Sequence, residues 1–331
     1  MQTTEILETL ASGQHLSGDM ADTAFTRLMD GEMSPGQAGA FLLGLRLKGE
    51  TPLEMAAAVK ACLQRAKAVP GVTGKRIDPV GTGGDGKRSF NCSTATALTL
   101  AGMGYTVTKH GNRAVSSSCG SADAVDGMGL PMHQEPSDIL DELQRRHFAF
   151  LFAPYFHPAF RHIMPVRQDL GMRTLFNLLG PLLNPARPTH QLLGVARPEH
   201  LQLMADVLAL SGLERAAVIH GAGGYDELTP IGPAQAVLVE GNKTRRVSFD
   251  PAEFGFAPCA PEELAVSGKE EGLAVLRELL HGRGNRPMRE MLIFNVGVAV
   301  HLLEDTKPLR ACMDDARDAV AAGLGGKVLH A

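Results

Sequence analysis

The chain has 331 residues, of which 44% are hydrophobic and 21% are charged, and its formal net charge is -4 at pH 7. This length predicts about two domains, with enough residues to bury a sizeable core. A slightly acidic chain offers no general basic surface, so we expect no nucleic-acid partner.

The five cysteines form no CxxC pair, which disfavours a disulfide framework and a zinc site. A reduced, cytoplasmic compartment is therefore expected. The first residues, MQTTEILETL, have neither the basic nor the apolar segment of a signal peptide. The longest apolar stretch, residues 291–303, is too short to span a bilayer and contains Asn295. We therefore predict a buried helix there and no membrane association.

Residues 1–68 have the apolar spacing of about four helices and no strand. Two of these helices have clear start signals, SPGQ at 34–37 and TPLE at 51–54. Each has a hydroxyl residue, then proline at the first helical position, then Gln or Glu three residues after the hydroxyl. We predict a small helical domain over residues 1–68.

Residues 72–331 follow a turn-rich connector and alternate short β-like runs with helical stretches. The runs are RIDPV, YTVTKH, HFAFLF, QLLGVA, RAAVIHG, QAVLVE and RRVSF, and two late helices are expected at about 287–303 and 308–323. This alternation predicts an α/β domain with a central, mostly parallel sheet flanked by helices. Ligands of such sheets bind at the carboxyl ends of the strands.

The glycine-rich loop GTGGDG, residues 81–86, is compatible with several functions. It matches GxGxxG, but a dinucleotide fold needs a helix at once, and the helix here is expected only at about Ser93. It also matches the start of a Walker loop, but Arg88 replaces the required Ser or Thr. A turn that binds no ligand is the third possibility.

A predicted helix start a few residues after the glycine loop favours phosphate binding. Asn91, Ser93 and Thr94 lie where this helix begins, and free N–H groups at a helix start attract anions. A serine hydroxyl at this point can also bind magnesium. Two such anion-binding devices suit a diphosphate together with a second phosphate.

A second polar loop, KHGNRAVSSSCGSAD at 109–123, follows the next predicted strand. Lys109, His110 and Arg113 supply cations, and Asn112 with three serines supplies neutral hydrogen-bonding groups. A solvated surface loop is the alternative, but the position after a strand and the interspersed glycines favour a second anion site.

An acidic pair, Asp226 and Glu227, lies in the loop HGAGGYDELTP after another strand. An exposed turn is one interpretation. Magnesium bound with substrate phosphates is the other, because Mg²⁺ prefers one or two carboxylates plus phosphate oxygens.

Further polar candidates lie within residues 152–186, and spacing alone does not choose among them. They are His157, His162, Arg167 and Arg173.

Together these segments resemble the anthranilate phosphoribosyltransferase family. The matching stretches are DPVGTGGD, NCST, KHGNRAVSSSCGSAD, FLFAPYFHPAF, VRQDLGMRTLFNLLGPLLNPA and GYDEL. They occur in the family's order between about residues 78 and 228, and the helical beginning is also similar to the family.

The resemblance implies a glycosyltransferase of the pentosyltransferase class that acts in tryptophan biosynthesis. Its reaction would convert anthranilate and phosphoribosyl pyrophosphate (PRPP) into N-(5-phosphoribosyl)anthranilate and pyrophosphate. It further implies two Mg²⁺ ions per subunit and a homodimer formed through the helical domain. Helices from about residues 160–188 are expected to join that domain.

The resemblance also implies roles for particular residues. Metal ligands would be Ser93, Asp226 and Glu227, and Arg167, rather than Arg173, would meet the anthranilate carboxylate. The other anthranilate-binding residues would be Gly81, His110, Asn112 and His157. The PRPP-binding residues would be Gly81, Gly84, Asp85, Ser89, Asn91, Cys92, Ser93, Thr94, Lys109, His110, Gly111, Asn112, Arg113, Ala114, Val115, Ser116, Ser117 and Ser121.

Two rival functions predict different sequences. A pyrimidine nucleoside phosphorylase of the same architecture would carry a segment like SGRG followed by GHTGGT, where this chain has KHGNRAVSSSCGSAD. A non-catalytic relative that binds nucleotides or nucleic acid would lose GTGGD and the acidic pair and become more basic.

Overall fold

The computed structural model of the protein describes residues 1–113 and 120–331. Its first part contains the helices expected there and, within residues 1–68, no strand. The four helices are α1 (Thr3–Ala11), α2 (Gly18–Asp30), α3 (Pro35–Lys48) and α4 (Pro52–Gln64).

Both predicted helix starts are confirmed by their hydrogen bonds. The Ser34 hydroxyl accepts from Gln37 N–H at 3.3 Å, and the Gln37 side chain accepts from Ser34 N–H at 3.0 Å. At the start of α4, Glu54 N–H donates to the Thr51 hydroxyl at 3.3 Å, and Glu54 accepts from Thr51 N–H at 2.9 Å. These reciprocal bonds satisfy N–H groups that have no partner inside a helix.

Seven strands form one sheet in the order β3-β2-β1-β4-β5-β6-β7. Strands β1 to β5 run parallel, whereas β6 and β7 are antiparallel to their neighbours. The expectation of a mostly parallel sheet is therefore confirmed. The strands are β1 (Ile77–Gly81), β2 (Val107–Gly111), β3 (Phe148–Phe152), β4 (His190–Gly194), β5 (Arg215–His220), β6 (Ala234–Glu240) and β7 (Lys243–Phe249).

Helices cover both faces of this sheet, and the two late helices lie where they were predicted. Two helices of eleven and twelve residues, α7 and α12, were not predicted from the sequence. The helices of this part are α5 (Cys92–Gly102), α6 (Ser121–Gly127), α7 (Pro136–Arg146), α8 (Ala153–Phe156), α9 (Phe160–Leu170), α10 (Phe176–Leu179), α11 (His200–Leu210), α12 (Lys269–Leu280), α13 (Arg286–Leu303), α14 (Leu309–Ala321) and α15 (Leu324–Lys327).

The buried core of the N-terminal helices also contains residues from later in the chain. Ile163 and Val166 of α9 belong to the same buried cluster as Phe25 of α2 and Phe41 of α3. This packing is compatible with the prediction that helices from about 160–188 join the N-terminal domain. The boundary between residues 68 and 72 stays a prediction.

Two features of the fold bear on the site. The carboxyl ends of the parallel strands, including Gly81, Gly111 and Gly194, lie at one edge of the sheet. Within the described ranges, no helix combines the length and the apolar character needed to cross a bilayer.

Replacing Glu54 with Ala should destabilise the protein strongly. Glu54 and Lys48 form a 2.6 Å ion pair in which both side chains are at most 2% exposed. Removing one partner of a buried pair leaves an uncompensated charge, which costs about 3–5 kcal/mol. Urea unfolding measures this cost.

The matched control is Lys60→Ala, which breaks the ion pair between Lys60 and Asp22. The Lys60 side chain is 57% exposed and the Asp22 side chain is 43% exposed. This change should cost less than about 1 kcal/mol. Equal losses from the two substitutions would contradict the importance of the buried pair.

Candidate functional site

A cleft of about 1210 Å³ opens at the carboxyl ends of the parallel strands. The loops after β1, β2 and β5 line it together with α9 and the segment 173–183. Sixteen of the predicted site residues line it: Gly81, Gly84, Asp85, Ser89, Asn91, Ser93, Lys109, His110, Gly111, Asn112, Arg113, Ser121, His157, Arg167, Asp226 and Glu227.

The remaining predicted residues divide into two groups. Cys92 and Thr94 are fully buried in the first turn of α5, so their side chains lie behind the cleft wall. Both residues are 0% exposed as a whole, and the Cys92 N–H already donates to Phe90 O at 2.7 Å. Ala114, Val115, Ser116 and Ser117 lie outside the described residues.

The glycine loop after β1 is hydrogen-bonded to the acidic pair in the loop after β5. Gly83 N–H donates to the Asp226 carboxylate at 2.8 Å. Gly83 and Gly84 have φ values of 63° and 77°, which side-chain-bearing residues rarely adopt. The chain therefore turns tightly enough to bring a main-chain donor onto a carboxylate from another part of the sequence.

Helix α5 begins close to where the sequence predicted. Its first residue is Cys92, and Asn91 is the residue that precedes it. The delay between the glycine loop and this helix differs from the dinucleotide arrangement, in which the helix starts inside the motif. Ser93 lies in the first turn, next to free helix N–H groups that favour an anion.

Lys109 places a cation beneath this helix start. Its side chain is 1% exposed, and its ammonium donates to Pro79 O at 2.7 Å and to the Ser93 hydroxyl at 3.2 Å. Burial lowers the pKa of Lys109 to about 8, while Asp78 and Glu227 oppose that change. At neutral pH the ammonium is therefore largely charged and is held toward the cleft.

A buried support under Lys109 was missed by sequence reasoning. Asp78 of β1 accepts from the Asn184 amide at 2.8 Å and from His110 N–H at 3.4 Å. The Asn184 amide also donates to Thr108 O at 2.6 Å. These bonds join β1 and β2 to Asn184, which directly follows the cleft-lining segment 173–183.

Three carboxylates converge at the strand ends. Asp85, Asp226 and Glu227 each offer an oxygen within 4.8 Å of the others. Burial, followed by the nearby Asp85, raises the pKa of Asp226 to about 7, and burial followed by Asp226 raises the pKa of Glu227. The oxygen-only donor set fits Mg²⁺, which would relieve the repulsion. The sequence did not indicate Asp85 as a member of this cluster.

Arg167 of α9 also lines the cleft. Its guanidinium is centred 5.5 Å from the Phe176 ring. Burial alone lowers its pKa, and it forms no ion pair with any carboxylate of the described residues. Arg173 also lines the cleft, but its guanidinium lies beside Gly84 of the glycine loop. The two arginines therefore face different parts of the cleft.

His110 and His157 form an uncharged part of the wall. Their rings meet edge to face, with centroids 5.2 Å apart. Burial lowers the pKa of His110 to about 3 and that of His157 to about 4, so both imidazoles are neutral near pH 7. They can contact a ligand through their rings and through neutral hydrogen-bonding groups, but they contribute no charge.

Two more cleft residues came from a part of the chain that the sequence analysis did not connect with the site. Arg46 and Glu50 lie at the end of α3 and just after it, yet both line the cleft. Arg46 also donates a hydrogen bond to Arg173 O. The cleft thus lies between the helical part and the sheet.

Comparison with known proteins identifies the family. A model described as the helical bundle domain of a glycosyl transferase family matches residues 4–66, and the a/b domain model of that family matches residues 73–325. The anthranilate phosphoribosyltransferase of Nitratidesulfovibrio vulgaris is 63% identical over 99% of both chains. The chain belongs to the anthranilate phosphoribosyltransferase family.

Other family members agree with this assignment. The anthranilate phosphoribosyltransferase of Oleidesulfovibrio alaskensis is 61% identical over 100% of both chains. The Thermus thermophilus anthranilate phosphoribosyltransferase structure superposes with a TM-score of 0.90 at 38% identity, covering 98% of this chain and 97% of that one. The Saccharomyces cerevisiae family member, solved in complex with PRPP and Mg, gives 0.88 at 27% identity, covering 99% and 96%.

Without metal, the protein should lose stability as the pH rises from about 4 to 7. In the folded state the pKa of the Asp226 carboxyl is about 7. In an unfolded chain the pKa of an aspartate is about 3.9. The folded state therefore binds more protons in this window, and rising pH favours unfolding. Because Mg²⁺ competes with these protons, it should raise the melting temperature more at about pH 8 than at about pH 5.5.

Thermal unfolding of the wild type and of Asp226→Asn at both pH values, with and without Mg²⁺, measures this linkage. The substitution should reduce both the pH dependence and the response to Mg²⁺. An equal Mg²⁺ response in both proteins at both pH values would contradict the metal assignment.

Proposed function

We propose that this protein transfers the phosphoribosyl group of PRPP to the amine of anthranilate, giving N-(5-phosphoribosyl)anthranilate and pyrophosphate with the help of Mg²⁺. The convergence of the three-carboxylate cluster, buried Lys109 and Arg167 on one cleft carries the proposal. The family members named above support the same reaction.

On the donor side, the glycine loop and the start of α5 would bind the diphosphate and the 5-phosphate. Main-chain N–H groups of such loops and helix starts favour anions. Lys109 would add a charge-assisted bond. Asn91 and Ser93 line the cleft and would contact the donor, whereas the buried Cys92 and Thr94 would support the start of α5 from behind.

Metal ions would be held by the carboxylates of Asp226 and Glu227, together with Asp85, and by the Ser93 hydroxyl. We propose two ions per subunit, with the Ser93 hydroxyl at the start of α5 as a ligand of one of them and the carboxylates as ligands of the other. Bound Mg²⁺ would neutralise the diphosphate and stabilise it as a leaving group.

On the acceptor side, Arg167 would bind the anthranilate carboxylate. Its guanidinium is partly buried and has no carboxylate partner among the described residues, so an incoming anion would supply the missing charge. The neutral rings of His110 and His157 would line the aromatic acid, and Gly81 and Asn112 would complete this part of the cleft.

The chemistry needs positioning more than proton transfer. An aniline-like amine is unprotonated near neutral pH, so no dedicated base is required. The main requirement is hydrogen-bond donors fixed where the leaving pyrophosphate gains negative charge, and each such donor is worth about 10²–10³ in rate. Holding donor and acceptor in line supplies much of the remaining acceleration.

We also propose that the protein acts in the cytoplasm as a homodimer formed through the helical domain. Exposed apolar side chains on α3 and α4 support the second part. Leu43 and Leu47 lie four positions apart, on one face of α3, and are 39% and 77% exposed, while Leu53 of α4 is 57% exposed. Exposed leucines on one helix face favour protein contacts.

The loss of anthranilate fluorescence in the presence of PRPP tests the function. The chain contains no tryptophan, so the protein background is low. The wild type should consume anthranilate only with both PRPP and Mg²⁺, and Asp226→Asn/Glu227→Gln should lose at least about 10²-fold in turnover. No consumption by the wild type, or full Mg²⁺-dependent turnover by the double variant, would reject the proposal.

Arg167→Ala should raise the KM for anthranilate far more than the KM for PRPP. Losing a charge-assisted contact to a carboxylate costs about 1.5–3 kcal/mol, or roughly 10–150-fold in affinity. Steady-state kinetics with each substrate varied in turn measures both constants.

Arg173→Ala is the matched control, because this residue lines the same cleft beside the glycine loop. It should leave the anthranilate KM within about threefold of the wild type, a free-energy change below about 0.7 kcal/mol. If only Arg173→Ala raised the anthranilate KM, the carboxylate contact would belong to Arg173.

A further inference from the structure

Asn295 is the one polar side chain between residues 291 and 300 of the buried part of helix α13. It is 3% exposed, and burying an amide is costly unless its hydrogen bonds are made. Its oxygen accepts from Leu228 N–H at 3.1 Å, and its amide nitrogen donates to Leu228 O at 2.8 Å and to Met291 O at 2.8 Å. One side chain therefore holds both main-chain groups of Leu228.

Leu228 directly follows the acidic pair, whose main chain is confined from the other side by two glycines. A Cβ atom on Gly194, at the end of β4, would lie 1.5 Å from Asp226 O. A Cβ atom on Gly221 would lie 1.9 Å from Glu227 O. The main chain of the pair is thus packed against strand-end glycines, and the next residue is fixed by α13.

We propose that Asn295 is a positioning residue that holds the Asp226–Glu227 loop in the arrangement that binds Mg²⁺. This inference rests on the proposed function, because it assigns the loop to magnesium. Carboxylates brought this close repel one another. A loop that carries them must be fixed by other contacts to keep the binding arrangement before the metal arrives.

The test substitution is Asn295→Leu, which keeps a similar volume in an apolar helix and removes both bonds to Leu228. Loss of an outer partner of a metal ligand typically weakens metal binding by about 10–100-fold. Calorimetric titration of PRPP at a series of Mg²⁺ concentrations should show at least about a tenfold rise in the Mg²⁺ needed for half-maximal PRPP binding. The KM for anthranilate should stay unchanged.

Val298→Ala is the matched control, since Val298 is fully buried in the same helix. It removes buried methyl groups and should lower the melting temperature without changing the Mg²⁺ requirement. An unchanged Mg²⁺ requirement in Asn295→Leu, or an equal shift in Val298→Ala, would overturn the proposal. A wild type that bound no PRPP with Mg²⁺ would instead reject the proposed function.

Amide hydrogen exchange in the wild type provides a second test, which needs no substituted protein. If Asn295 fixes the loop, the Leu228 amide should exchange as slowly as amides in the middle of α13. Exchange as fast as in exposed loops would overturn the proposal.

Discussion

Repulsion among three carboxylates is the constraint on which the cleft depends. Asp85, Asp226 and Glu227 bring oxygens within 4.8 Å of one another, and burial raises the pKa of the last two. Such a group becomes fully charged at neutral pH only beside a cation. The fold restrains the carboxylates through Gly83 N–H on Asp226 and through Asn295 on the residue after Glu227. The Lys109 ammonium lowers the pKa of Glu227, but burial and the neighbouring carboxylates outweigh this effect. Binding of Mg²⁺ and folding are therefore linked through one loop.

Much of this architecture could be predicted from local sequence, because the signals act between near neighbours. The hydroxyl, proline and Gln or Glu of SPGQ and TPLE meet within one helical turn, so their spacing alone located α3 and α4. Short β-like runs likewise located the seven strands found in the described residues. Helix α12 was not predicted because its first turn, KEEG, is charged and ends in glycine, which weakens the helical pattern.

The supporting contacts of the site could not be predicted, because they join residues far apart in sequence. Asp78 meets Asn184 across 106 positions, and Leu228 meets Asn295 across 67. Asn295 was visible only as an amide in an apolar run, with no sign of its partner. The choice between Arg167 and Arg173 likewise needed the family resemblance, because the spacing of the two arginines is silent about which part of the cleft each one faces.

The most direct measurement is the anomalous scattering of Mn²⁺, used in place of Mg²⁺, in crystals grown with PRPP. Mn²⁺ prefers the same carboxylate and phosphate oxygens. The account predicts an anomalous peak within bonding distance of the Asp226 and Glu227 carboxylates and of the PRPP diphosphate. PRPP bound in the cleft with no metal at these carboxylates would contradict it.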